Sequence, residues 1–229
     1  MLSKTMNTKT TGIKWQAIAL FYVIALLIRA LVLRYMKLGD STFTDWLWRW
    51  AEGIGPCIGA LAAVWVFRRR FYCTLTGKSI MKSFITVALP VVLCFFLDRS
   101  LSVVLLCTIV YALLEEVGWR GYLQGELKDM NNGQRIFLIA AMWFLWHINV
   151  KFNMEGLAFF GVLLIGAWGI GHIARDTRSL TACACFHSIF NFSNFEFSPA
   201  IIALYVGVFV SWIAIWYLPW KKNTLSDER

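Results

Sequence analysis

Apolar residues run along this chain in long blocks rather than in alternation. The blocks fall near residues 13–33, 51–67, 80–97, 101–123, 136–150, 156–174, 180–195 and 199–219. A run of about twenty apolar residues suits a membrane-crossing helix, and in lipid only helices and closed barrels satisfy their backbone groups internally. The pattern predicts an all-α, polytopic transmembrane helical bundle of about eight spans, several of them short. Connectors between blocks are tight, so residues 1–229 read as one membrane-embedded domain with no separate soluble unit. The first block is long and has no small-residue cleavage site, so it reads as a span and not as a cleaved leader.

Composition agrees with the blocks. Of 229 residues, 59% are hydrophobic, with 12 Trp and 18 Phe, too apolar for a soluble domain of this size. The net charge of +9 is explained by topology. Cytoplasmic loops retain Lys and Arg, and placing both termini in the cytoplasm gathers Lys4, Lys9, Lys14, Arg68, Arg69, Arg70 and most other basic residues on that side. The opposite side collects only Arg34, Lys37, Arg49, Arg99 and Lys151, with Arg29 and Arg120 left inside spans. Spread over loop ends in this way, the charge does not form the single basic face that nucleic acid would require.

Two adjacent acids and a base, Glu115, Glu116 and Arg120, follow the uncharged run Leu101–Leu114. An ionised group at membrane depth costs roughly 2.5 to 3.5 kcal/mol on insertion scales and usually faces a protein interior or a watery cavity. Residues four apart share a helical face, so Glu116 is placed to pair with Arg120 while Glu115 points elsewhere, free to meet other helices. Two of the three histidines, His147 and His187, also lie deep in apolar blocks. His187 and Asn191 share a face and offer two donors to one developing negative charge. Counted from the predicted cytoplasmic helix ends at about 1.5 Å per residue, Glu115, His147 and His187 all lie roughly 10 to 17 Å deep. One layer therefore holds three polar groups from three helices.

The ordered set Glu115-Glu116-x-x-x-Arg120, Trp143-x-x-x-His147 and His187-x-x-x-Asn191 resembles the three motifs of the CAAX prenyl endopeptidase and bacteriocin-processing family of intramembrane proteases, also called CPBP or Abi. Trp143 departs from the phenylalanine usual in that family and reads as a packing residue that shapes the site beside His147. The resemblance implies hydrolysis of a peptide bond in a membrane-associated peptide or lipidated protein, near the cytoplasmic side. It also implies roles: Glu115 as the general base on a water, His147 holding and polarising that water, His187 and Asn191 as oxyanion donors, and Glu116 with Arg120 bracing the catalytic helix.

Metal use divides the expectation. Glu115, His147 and His187 would also make a zinc set with one position left for water, and the family is often labelled a metalloprotease family. The absence of an HExxH signature and the presence of Asn191 beside His187 favour a metal-independent glutamate mechanism with no cofactor. Two other functions compete with the protease. One is a non-catalytic protein of the same fold giving bacteriocin self-immunity or scaffolding. The other is a proton-coupled transporter, disfavoured because no repeat symmetry is visible. Cys57, Cys73, Cys94, Cys107, Cys183 and Cys185 have no metal-knuckle spacing and read as small packing residues. His172 reads as interfacial, Gly161, Gly166, Gly169 and Gly171 suggest close helix packing, and the compact loops suggest a prokaryotic cytoplasmic membrane.

Overall fold

A computed structural model of the chain describes residues 12–35, 42–148, 150–191 and 199–218. The termini, whose cytoplasmic placement the charge pattern predicts, lie largely outside the described residues. Every predicted apolar block is helical: α1 (Trp15–Tyr35), α2 (Thr42–Phe67), α3 (Ile80–Leu97), α4 (Arg99–Glu116), α6 (Asn132–Trp146), α7 (Met154–Thr177), α8 (Leu180–Asn191) and α9 (Pro199–Tyr217). A π-helical stretch, Val117–Leu123, and a one-turn helix α5, Gln124–Glu126, extend α4. Among the described residues there is no β-strand.

Five helical segments are long and apolar enough to cross a membrane: 15–35, 44–67, 80–97, 99–126 and 154–177. The blocks at 136–150 and 180–195 yield shorter helices, α6 with 15 residues and α8 with 12. At about 1.5 Å per residue these reach only part of the way through a 30 Å hydrocarbon core. Among the described residues, then, five of the eight predicted spans have full crossing length, α6 is too short to cross by itself, and α8 is described only as far as Asn191. The chain is an integral, multi-pass membrane protein.

Helix packing uses small residues, as expected where lipid gives no hydrophobic drive between helices. On α1 the buried face is Ala17, Phe21, Ala25 and Arg29, at helical spacing, while Val23, Leu27 and Leu31 point outward. This face packs on α2, where a Cβ added to Gly59 would lie 2.4 Å from the Phe21 carbonyl oxygen. The predicted glycine packing in α7 holds only in part. Gly166 meets Trp143 and Gly171 meets Gln124, but Gly161 and Gly169 have no neighbour that a Cβ would touch. Glycine content alone does not say which way a helix is rotated.

The π-helical stretch also packs tightly on α2. Val117–Leu123 carries Gly118, whose added Cβ would lie 2.5 Å from the Pro56 Cβ and 2.7 Å from the Pro56 carbonyl oxygen of α2. Gly118→Ala is expected to lower the thermal unfolding midpoint, by overpacking worth about 1 to 3 kcal/mol. Melting curves of purified protein check this, and an unchanged midpoint would show that α2 yields freely there.

The loop between α2 and α3 is stitched to the α7–α8 turn. Thr74 N–H donates to the Arg178 carbonyl (3.0 Å), Leu180 N–H to the Thr74 carbonyl (2.9 Å) and Lys78 N–H to the Thr177 carbonyl (2.9 Å). The Ser83 and Ser179 hydroxyls meet at 2.8 Å. These bonds anchor the start of α8, the helix that carries His187 and Asn191.

Candidate active site

Glu115 and Glu116 end α4, immediately before the π-helical stretch. That stretch widens the backbone spacing, with Gln124 N–H reaching the Trp119 carbonyl five residues back. Such bulges recur at functional sites because they re-aim side chains without ending the helix. Both glutamates are buried, as are Arg120, His187 and Trp143.

The two acids occupy opposite electrostatic settings. Glu116 Oε1 accepts from Arg120 Nη1 at 3.0 Å, the predicted pair, and also from His187 Nδ1 at 2.7 Å. Arg120 is held further by donation from Nη2 to the Gly166 carbonyl (3.1 Å), and its guanidinium lies 4.6 Å over the Trp143 ring. Glu116 is thus paired with a cation one turn along its own helix and hydrogen-bonded from α8. Its second oxygen has no hydrogen-bond partner.

Glu115 is not the free acid that helical spacing suggests. Its Oε2 accepts from the indole N–H of Trp143 at 2.9 Å and more distantly from that of Trp119 at 3.4 Å. The Tyr111 hydroxyl also hydrogen-bonds its carboxylate. Among the described residues no cation lies within ion-pair distance of it. Neutral donors hold Glu115 while the Arg120 cation holds Glu116, and this difference sets them apart chemically.

Trp143 therefore does more than pack. Besides its bond to Glu115, its carbonyl meets His147 Nδ1 at 2.8 Å, and its ring lies edge-on to His187 with centroids 4.9 Å apart. A carbonyl only accepts, so Nδ1 of His147 carries the proton there and Nε2 is left for other partners. His147 caps the C-terminus of α6 rather than lying inside a span. The next residue, Ile148, has φ +60°, rare and strained for a β-branched residue. Among the described residues no hydrogen bond joins His147 to Glu115.

On α8, His187 is committed at Nδ1 to Glu116, while the Asn191 Nδ2 is buried and has no hydrogen-bond partner among the described residues. The structure thus brings Glu115, Trp143, His147 and His187 together around α4 and places Asn191 one helical turn beyond His187. His172 lies apart from this group, where Arg175 Nη2 donates to its Nδ1.

Sequence reasoning missed Trp119, Tyr111 and the ion pairs Arg29 with Glu52 at 2.8 Å and Arg69 with Glu126 at 2.7 Å. Trp119 is four residues beyond Glu115, the same spacing that predicted Glu116–Arg120, so the signal was present. The guanidinium of Arg29 lies 4.9 Å from the Trp146 ring, beside His147.

As to metal ligation, both indoles already occupy Glu115 Oε2, and among the described residues no three His, Cys, Asp or Glu side chains form a group able to hold a metal ion.

No curated protein matches the chain. The model of one protein family does, the type II CAAX prenyl endopeptidase Rce1-like family, over residues 96–193. Every residue of the polar cluster from Glu115 to Asn191 falls within those bounds, so the similarity to that family covers the segment that carries the candidate site.

Proposed function

We propose that the protein is an intramembrane endopeptidase in which Glu115 activates water without a metal. The observation that carries this is the contrast between the adjacent acids: Glu116 is ion-paired with Arg120 and hydrogen-bonded to His187, whereas Glu115 is held by neutral indole donors and keeps its capacity to take a proton. In the proposed reaction a water between Glu115 and His147 attacks the scissile carbonyl carbon and gives its proton to the Glu115 carboxylate. Negative charge then develops on the carbonyl oxygen, where His187, through Nε2, and Asn191, through its unpartnered Nδ2, donate hydrogen bonds. The Glu116 carboxylate balances the imidazolium form that donates from Nε2. Collapse of the intermediate breaks the C–N bond, and the Glu115 carboxylic acid returns its proton to the leaving nitrogen. The products are a carboxylate and an amine.

The substrate class in this reading is a membrane-associated peptide or lipidated protein, cut near the cytoplasmic face of a prokaryotic inner membrane with both termini of the enzyme inside. An open, mainly apolar cavity of about 490 Å³, with His172 and Asp176 also in its wall, supports a largely apolar substrate. It is lined by Ile170 and Ile173 of α7, Phe186 and Phe190 of α8, and Phe209 and Ile213 of α9. Phe186 precedes His187 and Phe190 precedes Asn191, so the cavity adjoins the helix that carries the proposed oxyanion donors.

Mass spectrometry of membrane peptides from cells carrying the native protein or its Glu115→Gln form tests the reading. It requires peptides cut only by the native form, and identical peptide sets would leave a non-catalytic immunity or scaffold role. The metal question has its own test. Cleavage by purified protein is expected to survive strong chelation, and stoichiometric zinc with chelator-sensitive cleavage would overturn the metal-independent mechanism.

A further inference from the structure

Trp143 touches more of the site than any other side chain, and its position is over-determined. The face of its ring carries the Arg120 guanidinium at 4.6 Å, its edge meets His187, and a Cβ on Gly166 would lie 3.3 Å from it. Trp119 flanks it with ring centroids 6.3 Å apart. A ring boxed in this way cannot swing, so the direction of its N–H is set before substrate arrives. That N–H points at Glu115 Oε2 at 2.9 Å, and the carbonyl of the same residue holds His147 Nδ1 at 2.8 Å. One residue thereby orients both groups that would handle the attacking water. The phenylalanine usual at this position in the family resembled would fill much of the same space but bring no donor.

We infer that Trp143 is a positioning residue for Glu115, and that its indole N–H, not its bulk, performs the positioning. The bond fixes which carboxylate oxygen is committed to the protein and so which one faces the reaction. Trp119, at 3.4 Å, is too long a contact to hold that orientation alone. A misplaced reacting group costs on the order of a hundredfold in rate even for displacements near 1 Å. The consequence for turnover rests on the protease reading, whereas the bond itself does not.

Two measurements separate these. In tryptophan-labelled protein in lipid nanodiscs, the ¹⁵N–¹H indole signals report hydrogen bonding directly. Glu115→Leu removes the acceptor and is expected to move the signals of Trp143 and Trp119. Those of Trp212 and Trp216, which donate to the carbonyl and hydroxyl of Thr86, should stay in place. A Trp143 signal that ignores this substitution overturns the inference.

For turnover, the probe is a membrane peptide whose cleavage Glu115→Gln abolishes. Trp143→Phe is expected to lower kcat about tenfold to a hundredfold with KM unchanged. Should Trp143→Phe fail to fold, benzothienylalanine installed at position 143 keeps the ring's size and lacks only the N–H, and the same loss is expected. Full kcat with that ring overturns the inference. Unchanged cleavage in Glu115→Gln would instead sink the protease reading, and the indole spectrum would still decide whether the bond exists.

Discussion

Glu115→Gln is expected to abolish cleavage while the protein folds and melts as the parent does. Glutamine keeps the size of the side chain and an oxygen that can accept from Trp143 and Trp119, so the buried hydrogen bonds at Oε2 survive. What disappears is the ability to take a proton from water. General base catalysis contributes typically 10² to 10⁴-fold, and a loss of at least about that size is expected in kcat. The comparison is between initial rates and thermal midpoints of the two proteins in the same lipid. Wild-type rates in the variant would mean that another group activates the water. A collapsed midpoint would mean that the negative charge of Glu115 holds the fold, which its neutral surroundings argue against.

Substitution of Arg120 is expected to produce the opposite profile, with stability lost first. Arg120 and Glu116 are both fully buried and 3.0 Å apart. Removing one member of such a pair strands the other as an uncompensated charge, at a cost of about 3 to 5 kcal/mol. Arg120→Met should therefore unfold at markedly lower temperature and lose activity with its structure. Replacing both partners is cheaper than replacing one, so Arg120→Met combined with Glu116→Gln should regain much of the midpoint. Glutamine can still accept from His187 Nδ1 but cannot balance an imidazolium, so cleavage by the double variant should remain low. A single Arg120→Met protein that melts like the parent would remove the bracing role altogether.

The two acids show how far local reasoning reaches. Glu116 and Arg120 lie four residues apart, and their pairing follows from helix geometry whatever surrounds the helix. The partner from His187 lies 71 positions away, and nothing local announces it. For Glu115 the same four-residue rule pointed to Trp119, but the shorter bond comes from Trp143 on α6. That contact depends on how α4 and α6 are rotated against each other, and on the π-helical stretch that begins two residues after Glu115. Arg29 and Glu52 repeat the lesson, since each is visible in the sequence as a charge within or beside an apolar block and their meeting is a product of α1 packing on α2.

By itself the sequence determined that the chain is a helical membrane protein, where its apolar segments lie, and which few polar side chains sit among them. Those properties follow from the cost of exposing backbone and charge to lipid, a cost that acts residue by residue and is therefore written in the order of residues. The tertiary structure alone decided that α6 is too short to cross, that close packing falls at Gly59 and Gly118, and that Trp143 grips Glu115 while His187 grips Glu116. In a membrane the rotation and tilt of each helix are set by packing against its neighbours rather than by its own hydrophobic face. Which side chains meet across helices is accordingly a property of the assembled bundle.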